Sequence, residues 1–63
     1  MNLGEKLKQL RRLRGVTQKE LAGNFLTRNM LSQIERGVAM PSCATIALLS
    51  KKLRVDPSYF FES

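Results

Sequence analysis

Apolar residues recur along this chain at intervals of three and four positions, which is the period of an α-helix. Leu3, Leu7 and Leu10 give the first segment a single apolar stripe. No stretch alternates polar and apolar residues for long enough to predict a strand. The pattern predicts an all-α domain that occupies residues 1–63 as one unit. Its helices are expected near residues 3–14, 17–24, 27–36, 42–54 and 57–61.

Residues that favour helix starts accompany these segments. Thr17 lies three positions before Glu20, the spacing of a capping box, and Val16 and Leu21 occupy the two positions of a hydrophobic staple. Gly15 is expected to end the first helix in the left-handed conformation. The other predicted caps are Thr27, Ser42 and Asp56, the last followed by Pro57 at the favoured first position. The brief link between the second and third helices predicts a helix-turn-helix.

The apolar faces of these helices predict the core. A chain this short buries only about 60% of its unfolded surface, so it depends strongly on that packing. Cys43 is the only cysteine and there is no histidine, which excludes a disulfide and predicts neither metal nor cofactor. We expect Cys43 to be a small buried hydrophobe in a reducing cytoplasm. The predicted core is Leu3, Leu7, Leu10, Val16, Leu21, Ala22, Leu26, Leu31, Ile34, Ile46, Leu49, Leu53, Val55 and Phe60.

Charge is distributed unevenly along the chain. Eleven Lys and Arg residues against five Asp and Glu give a net charge of +6. Residues 1–36 hold eight of those bases and three of the acids, so this half carries +5. A basic half on a small domain favours a polyanionic partner, although charge alone is weak support for one.

The third predicted helix separates its polar and apolar residues into two arcs. The polar arc contains Arg28, Asn29, Ser32, Gln33 and Arg36 and no acid. It is either an ordinary solvated face or a face that contacts DNA, since Arg, Asn and Gln hydrogen-bond base edges. Surface helices usually interleave acids with bases, which favours the second interpretation. Glu35 lies at the border of the apolar arc, and we expect it to turn inward and pair with Arg11.

The segments LRRLRGVTQKELA, LTRNMLSQIERG and PSCATIALLSKKLRVDPSYFF resemble the lambda-repressor/Cro-like helix-turn-helix family, also called XRE-type, over residues 3–61. The resemblance implies a five-helix DNA-binding domain that acts as a transcriptional regulator and inserts its third helix into the major groove. It places Arg28, Asn29, Gln33 and Met30 at base-contacting positions and Arg11 and Glu35 at a structural ion pair. The phosphate-contacting positions are Thr17, Gln18, Thr27, Ser32 and Arg36.

The chain departs from the family pattern in four places. The link between the second and third helices is one residue short, so we expect the second helix to end early, with Gly23 or Asn24 in an unusual backbone conformation. Residues 38–40 are apolar where a phosphate clamp is common. Arg54 replaces a common C-terminal glycine. Leu13 and Leu48 stand at usually polar positions and are expected to be exposed.

Dimerisation near the last helix is also implied by the resemblance. Pro57, Tyr59 and Phe61 would form the interface of a homodimer, and the operator would be palindromic double-stranded DNA with half-sites about 34 Å apart. The alternative is that exposed apolar residues here are scattered singly, as on many surfaces.

Three other classes of function are alternatives to DNA binding. Catalysis would rest on five carboxylates and one thiol, so an enzyme is not expected. A membrane-surface helix would be continuous, whereas glycine and proline divide this chain, and no span of the ~18 apolar residues needed to cross a membrane exists. A protein-interaction module on the same fold, such as an antitoxin or adaptor domain, remains the main alternative. The expected location is the cytoplasm, on the nucleoid when bound to DNA.

Overall fold

The computed structural model describes residues 1–62 and contains no strand within them. Four α-helices are followed by a short 3₁₀ helix. The α-helices are α1 (Leu3–Leu13), α2 (Gln18–Ala22), α3 (Arg28–Glu35) and α4 (Cys43–Leu53), and the 3₁₀ helix is η1 (Pro57–Phe61). The all-α class predicted from the sequence is confirmed.

Each helix begins at a side chain that accepts a backbone N–H, which satisfies a donor that the helix itself leaves unpaired. The capping box is present: Thr17 Oγ1 accepts from the Glu20 N–H at 3.1 Å, and the Thr17 N–H donates to Glu20 Oε1 at 3.0 Å. Asn2 caps α1 by accepting from the Glu5 N–H at 2.9 Å, a cap that the sequence analysis did not predict. The caps at Thr27, Ser42 and Asp56 are confirmed.

The link between α2 and α3 follows the shortened spacing of the sequence. Helix α2 ends at Ala22, two residues before the predicted limit, and the next residue, Gly23, has φ +56°. Glycine adopts this positive φ at little cost because it has no Cβ. The expectation that α2 ends early at a glycine is therefore confirmed.

The core lies where the four α-helices and η1 converge. Ten of the predicted core residues are buried, and the remaining four, Leu3, Val16, Leu26 and Val55, are partly buried against them. The prediction for Cys43 was wrong, since its side chain is exposed. Cys43 is the first residue of α4, and the inward face of that helix begins at Ile46.

The last helix was predicted without its type, and it is a 3₁₀ helix of five residues. Its Tyr59 N–H donates to the Asp56 carbonyl at 2.9 Å, the i to i+3 bond of this tighter helix. Phe60 is buried and meets the Tyr59 ring edge-on, with ring centroids 5.3 Å apart. Packing of this aromatic residue holds the short helix against α1 and α4.

A glycine lets α1 approach the end of α3 closely. Gly4 is buried, and a Cβ built on it would overlap the carbonyl oxygen of Ile34 and lie 2.7 Å from that of Glu35. Real Cβ atoms do not approach backbone oxygens this closely, so Gly4 sets the distance between the two helices. None of the helices in residues 1–62 has both the length and the apolar composition to cross a membrane.

Candidate nucleic-acid interface

The outward face of α3 carries the polar residues that the sequence analysis singled out. Arg28 and Asn29 are exposed in its first turn, and Met30 beside them is 40% exposed. Ser32 and Gln33, one turn further on, are half-buried, and Arg36 is exposed at the C-cap. The opposite face buries Leu31 and Ile34 in the core, so packing fixes which side of the helix is presented.

The polar side chains on this face have no hydrogen-bond partners within residues 1–62. None of the side chains of Arg28, Asn29, Ser32, Gln33 and Arg36 takes part in the hydrogen bonds or the ion pair of that part of the chain. Their donors and acceptors are therefore available to another molecule. Thr27 caps the helix by accepting from the Met30 N–H at 3.0 Å, which leaves its hydroxyl hydrogen free to donate.

The acid of α3 is turned away from this face. Glu35 is buried and forms an ion pair with Arg11 of α1, with side-chain exposures of 3% and 11%. Arg11 Nε donates to Glu35 Oε2 at 2.7 Å and Arg11 Nη2 donates to Glu35 Oε1 at 3.2 Å. The paired geometry that the sequence analysis anticipated is thus present, and the outward face of α3 keeps no negative charge.

The same carboxylate holds the start of α2. Gln18 Nε2 donates to Glu35 Oε1 at 3.1 Å, and Arg11 Nη1 donates to the Val16 carbonyl at 2.9 Å. Gln18 was predicted from the resemblance to contact phosphate, and its side-chain amide is half-buried and oriented by Glu35. The network fixes the N-terminus of α2 relative to α3, which is a relationship that sequence spacing did not reveal.

The N-terminal turn of α2 offers donors to an anion. The first backbone N–H groups of a helix, here those of Gln18 and Lys19, have no acceptor inside the helix. The hydroxyl of Thr17 also retains its hydrogen, since its oxygen is the acceptor in the cap. The backbone N–H of Thr17 lowers the pKa of the exposed Glu20 carboxyl by hydrogen-bonding its charged form.

Three of the bases bind backbone carbonyl groups. Lys6 is buried, and its Nζ donates to the Tyr59 carbonyl at 3.0 Å and to the Glu62 carbonyl, above the Tyr59 ring. Arg14 Nε donates to the Leu53 carbonyl at 2.9 Å. Lys52 Nζ donates to the carbonyls of Glu20 and Leu21, both at 3.2 Å. Each bond satisfies a carbonyl near a helix end, a role that no local sequence signal identifies.

The remaining free bases are spread over the surface. Apart from Arg11, which faces Glu35, no base in residues 1–62 lies in an ion pair. The bases without such structural bonds are Lys8, Arg12, Lys19, Arg28, Arg36, Lys51 and Arg54, all exposed.

Two exposed apolar regions lie outside the polar face. Val38 and Met40, in the loop after α3, are exposed, Met40 to 80%. Near the C-terminus Phe61 is 66% exposed and Pro57 is exposed, whereas Tyr59 is half-buried beneath Lys6. The expected exposure of Leu13 and Leu48 is confirmed.

Comparison with known proteins gives a family match over most of the chain. A model of the helix-turn-helix family HTH_3 matches residues 7–60. Among curated protein sequences none matches the chain.

Three solved structures show the same fold with substantial sequence identity. PlcR of Bacillus thuringiensis, in complex with the peptide PapR7 and DNA, is 36% identical with a TM-score of 0.92, over 97% of this chain and 22% of PlcR. The restriction-modification controller protein C.AhdI of Aeromonas hydrophila is 32% identical with a TM-score of 0.87, over 94% of this chain and 91% of the controller.

SinR, the master regulator for biofilm formation, solved in complex with DNA, is 29% identical with a TM-score of 0.88, over 95% of this chain and 98% of SinR. This chain therefore spans about a fifth of PlcR and nearly all of the other two chains. The family-model match and the similar solved structures both agree with the helix-turn-helix formed by α2 and α3. The chain belongs to the lambda-repressor/Cro-like, or XRE-type, helix-turn-helix family of DNA-binding transcriptional regulators.

Proposed function

We propose that this chain is a prokaryotic or phage transcriptional regulator, or the DNA-binding domain of one, which binds double-stranded DNA by placing α3 in the major groove. The observation that carries the proposal is the outward face of α3, on which polar side chains lack partners while Glu35 is turned inward onto Arg11. An acid on that face would repel the phosphate backbone. Because Glu35 is buried, the outward face of α3 carries no negative charge and suits DNA. Family membership supports the same function.

The base-contacting residues in this proposal are Arg28, Asn29, Gln33 and Met30. Arg is suited to guanine O6 and N7, and Asn or Gln to adenine N6 and N7. Met30 is exposed beside Asn29 and offers an apolar contact to a thymine methyl group. Arg28, Asn29 and Met30 lie in the first turn of α3, and Gln33 lies one turn further on. The N-terminal end of a recognition helix is the end that contacts base edges in the groove.

The phosphate-contacting residues in this proposal flank that end of the helix. Thr17 and Gln18 contribute the free N-terminal donors of α2, and Thr27 contributes its hydroxyl hydrogen. Ser32 and Arg36, further along α3, are assigned to phosphate oxygens as well. Gln18 keeps one amide hydrogen and its backbone N–H for this role, since its other amide hydrogen is donated to Glu35.

The regulator acts as a cytoplasmic homodimer in this proposal and binds a palindromic operator. Exposed Pro57 and Phe61, with half-buried Tyr59, form the surface that two subunits share. Two α3 helices related by a two-fold axis then contact half-sites about 34 Å apart. Dimerisation raises the affinity because the second half-site is bound intramolecularly.

Selection of bound duplexes from a random DNA library, at low and at high salt, tests this proposal. Enrichment of one two-fold symmetric sequence that persists at the higher salt is the expected result, because base contacts depend less on counterion release than phosphate contacts do. Enrichment of a single half-site would support sequence-specific binding but contradict the proposed dimer. Binding that disappears with salt and enriches no sequence would overturn the proposal.

A protein-interaction module, such as an antitoxin or adaptor domain, is the second candidate. The exposed Val38 and Met40 favour it, since apolar side chains replace a phosphate clamp in that loop. In that case the selection enriches no DNA sequence, and substitution of Val38 and Met40 by Ser abolishes capture of a partner while leaving the fold intact.

A further inference from the structure

A basic pocket lies outside the helix-turn-helix face. It has a volume of about 280 Å³ and is lined by Arg14, Val16, Lys52 and Arg54. The pocket thus joins the end of α1, the segment before α2 and the end of α4. Three of its four lining side chains are cations, and the fourth, Val16, is a half-buried apolar wall.

No acid of residues 1–62 forms an ion pair with these three cations. The ion pair between Arg11 and Glu35 is the only one within residues 1–62. The carboxylates closest in sequence are engaged elsewhere: Glu20 accepts from the Thr17 N–H at 3.0 Å and Asp56 from the Ser58 N–H at 2.9 Å. Like charges gathered around one pocket repel each other, and a bound anion would relieve that repulsion.

Two of the cations are explained by the fold. Arg14 donates from Nε to the Leu53 carbonyl, and Lys52 donates to the Glu20 and Leu21 carbonyls. These bonds satisfy carbonyl groups at the ends of α4 and α2. They also leave donors unused, since a guanidinium has five N–H groups and an ammonium has three.

Arg54 has no such explanation. Its guanidinium hydrogen-bonds no group within residues 1–62, and its backbone is left-handed, with φ +61°. Glycine takes this conformation without strain, whereas residues with a side chain rarely adopt it. Arg54 is thus a strained residue whose long charged side chain lines the pocket and makes no hydrogen bond to the described residues, 1–62. The left-handed backbone belongs to the C-cap of α4, where the Val55 N–H donates to the Ser50 carbonyl at 3.0 Å, so it is the guanidinium alone that has no role in the fold.

We propose that this pocket binds a phosphate group. Arginine guanidinium groups bind the oxygens of phosphate in paired geometry, and the charge of three cations suits a dianion better than a single carboxylate. The pocket holds one such group, with Val16 against an apolar portion of the molecule that carries it. That molecule is either a small phosphorylated compound or the DNA backbone beyond the helix-turn-helix contacts. Only binding of the DNA backbone rests on the proposed function.

Titration of the full chain with inorganic phosphate, at constant ionic strength against chloride, tests the site without DNA. Saturable changes in the NMR signals of the Arg14 side-chain N–H and the Val16 and Arg54 amides are expected. Arg54→Gly should weaken phosphate binding by tenfold or more and keep the fold, because glycine accommodates the left-handed backbone. Lys51→Ala is the matched control, since it removes an exposed charge from the same turn of α4 without altering the pocket lining.

The salt dependence of DNA binding distinguishes the two sources of phosphate. If the backbone occupies the pocket, Arg54→Gly lowers the slope of log K against log salt by about one, whereas Lys51→Ala leaves it unchanged. If a small compound occupies it, the slope is unchanged and only the phosphate titration responds to Arg54→Gly. No saturable phosphate binding together with an unchanged slope would overturn the proposal. Failure of the chain to select any DNA sequence would overturn the proposed function. The phosphate titration would still decide whether the pocket binds phosphate.

Discussion

Arg11 and Glu35 meet side on, with the guanidinium Nε 2.7 Å from Oε2 and Nη2 3.2 Å from Oε1, and both side chains are almost wholly removed from solvent. This pair joins α1 to the last residue of α3. Through the bond from Gln18 Nε2 to Glu35 it also holds the first turn of α2. One carboxylate thus orients both elements of the helix-turn-helix.

Removal of Glu35 should leave Arg11 as a buried charge without its partner. We expect Glu35→Ala to lower the free energy of unfolding by about 3 kcal/mol, measured by urea denaturation. The double variant Arg11→Met with Glu35→Leu should lose less than the sum of the two single variants, since it strands neither charge. An unchanged melting temperature in Glu35→Ala would show that the ion pair does not stabilise the fold.

Substitution of Arg28 should change base preference rather than general affinity. Arg28→Ala is expected to cost about 1–3 kcal/mol against the preferred base at one position of each half-site, with little effect on other positions. Competition binding with single-base operator variants measures this. Lys51→Ala, which removes an exposed charge far from α3 in sequence, is the control. Equal weakening on every DNA sequence would make Arg28 a phosphate contact instead.

Substitution of Gly4 by alanine adds one methyl group, which has two opposing effects on stability. Alanine is favoured over glycine inside a helix by roughly 0.5–1 kcal/mol. Here the added methyl would overlap the Ile34 carbonyl and approach that of Glu35 to 2.7 Å, and backbone atoms at a helix end cannot move aside without shifting α3. We expect the overlap to dominate, so Gly4→Ala should destabilise the fold by about 1–3 kcal/mol.

Thermal unfolding of Gly4→Ala beside an exposed α1 control, Gln9→Ala, checks this balance. A melting temperature above that of the unmodified chain would mean that helix propensity outweighs the overlap, and that the two helices tolerate a wider separation than the structure has.

Lys6 should stabilise the C-terminal 3₁₀ helix. Lys6→Met keeps most of the buried stem but removes the donor to the Tyr59 and Glu62 carbonyls. We expect a loss of about 1–2 kcal/mol and faster amide exchange in η1, because these part-buried carbonyls become unpaired. Lys8→Met, on an exposed position of the same helix, should change stability by less than about 0.5 kcal/mol. Equal effects of the two substitutions would contradict the role of Lys6.

The capping box should make stability depend on pH in the acid range. Because the Thr17 N–H lowers the folded-state pKa of Glu20, the ionised carboxylate stabilises the fold fully above the ordinary pKa of 4.5. This contribution is lost as pH falls through the lower folded-state value. Glu20→Gln should therefore flatten the fall in urea midpoint on acidification. It should not abolish it, since the Ser58 N–H also lowers the pKa of Asp56. An unchanged pH profile in Glu20→Gln would exclude Glu20 as a contributor.

The local structure of this protein follows from short stretches of its sequence. Thr17, Thr27 and Ser42 each cap a helix because the hydroxyl reaches an N–H three residues away, a geometry that depends only on nearby residues. The apolar stripes predicted every residue of the buried core for the same reason, since the helical period fixes which side chains share a face. The inward turn of Glu35 also followed from its angular position on α3.

The contacts between distant segments depend instead on how the helices pack together. Lys6, Arg14 and Lys52 resemble surface bases in the sequence, and their bonds to carbonyls 53, 39 and 31–32 residues away exist only because the helices pack together. Gly4 likewise gives no local sign of the backbone it approaches in α3. Cys43 was misassigned because hydrophobic character does not specify which turn of α4 faces the core. Contacts of this kind depend on the relative placement of helices, which local period and capping do not encode.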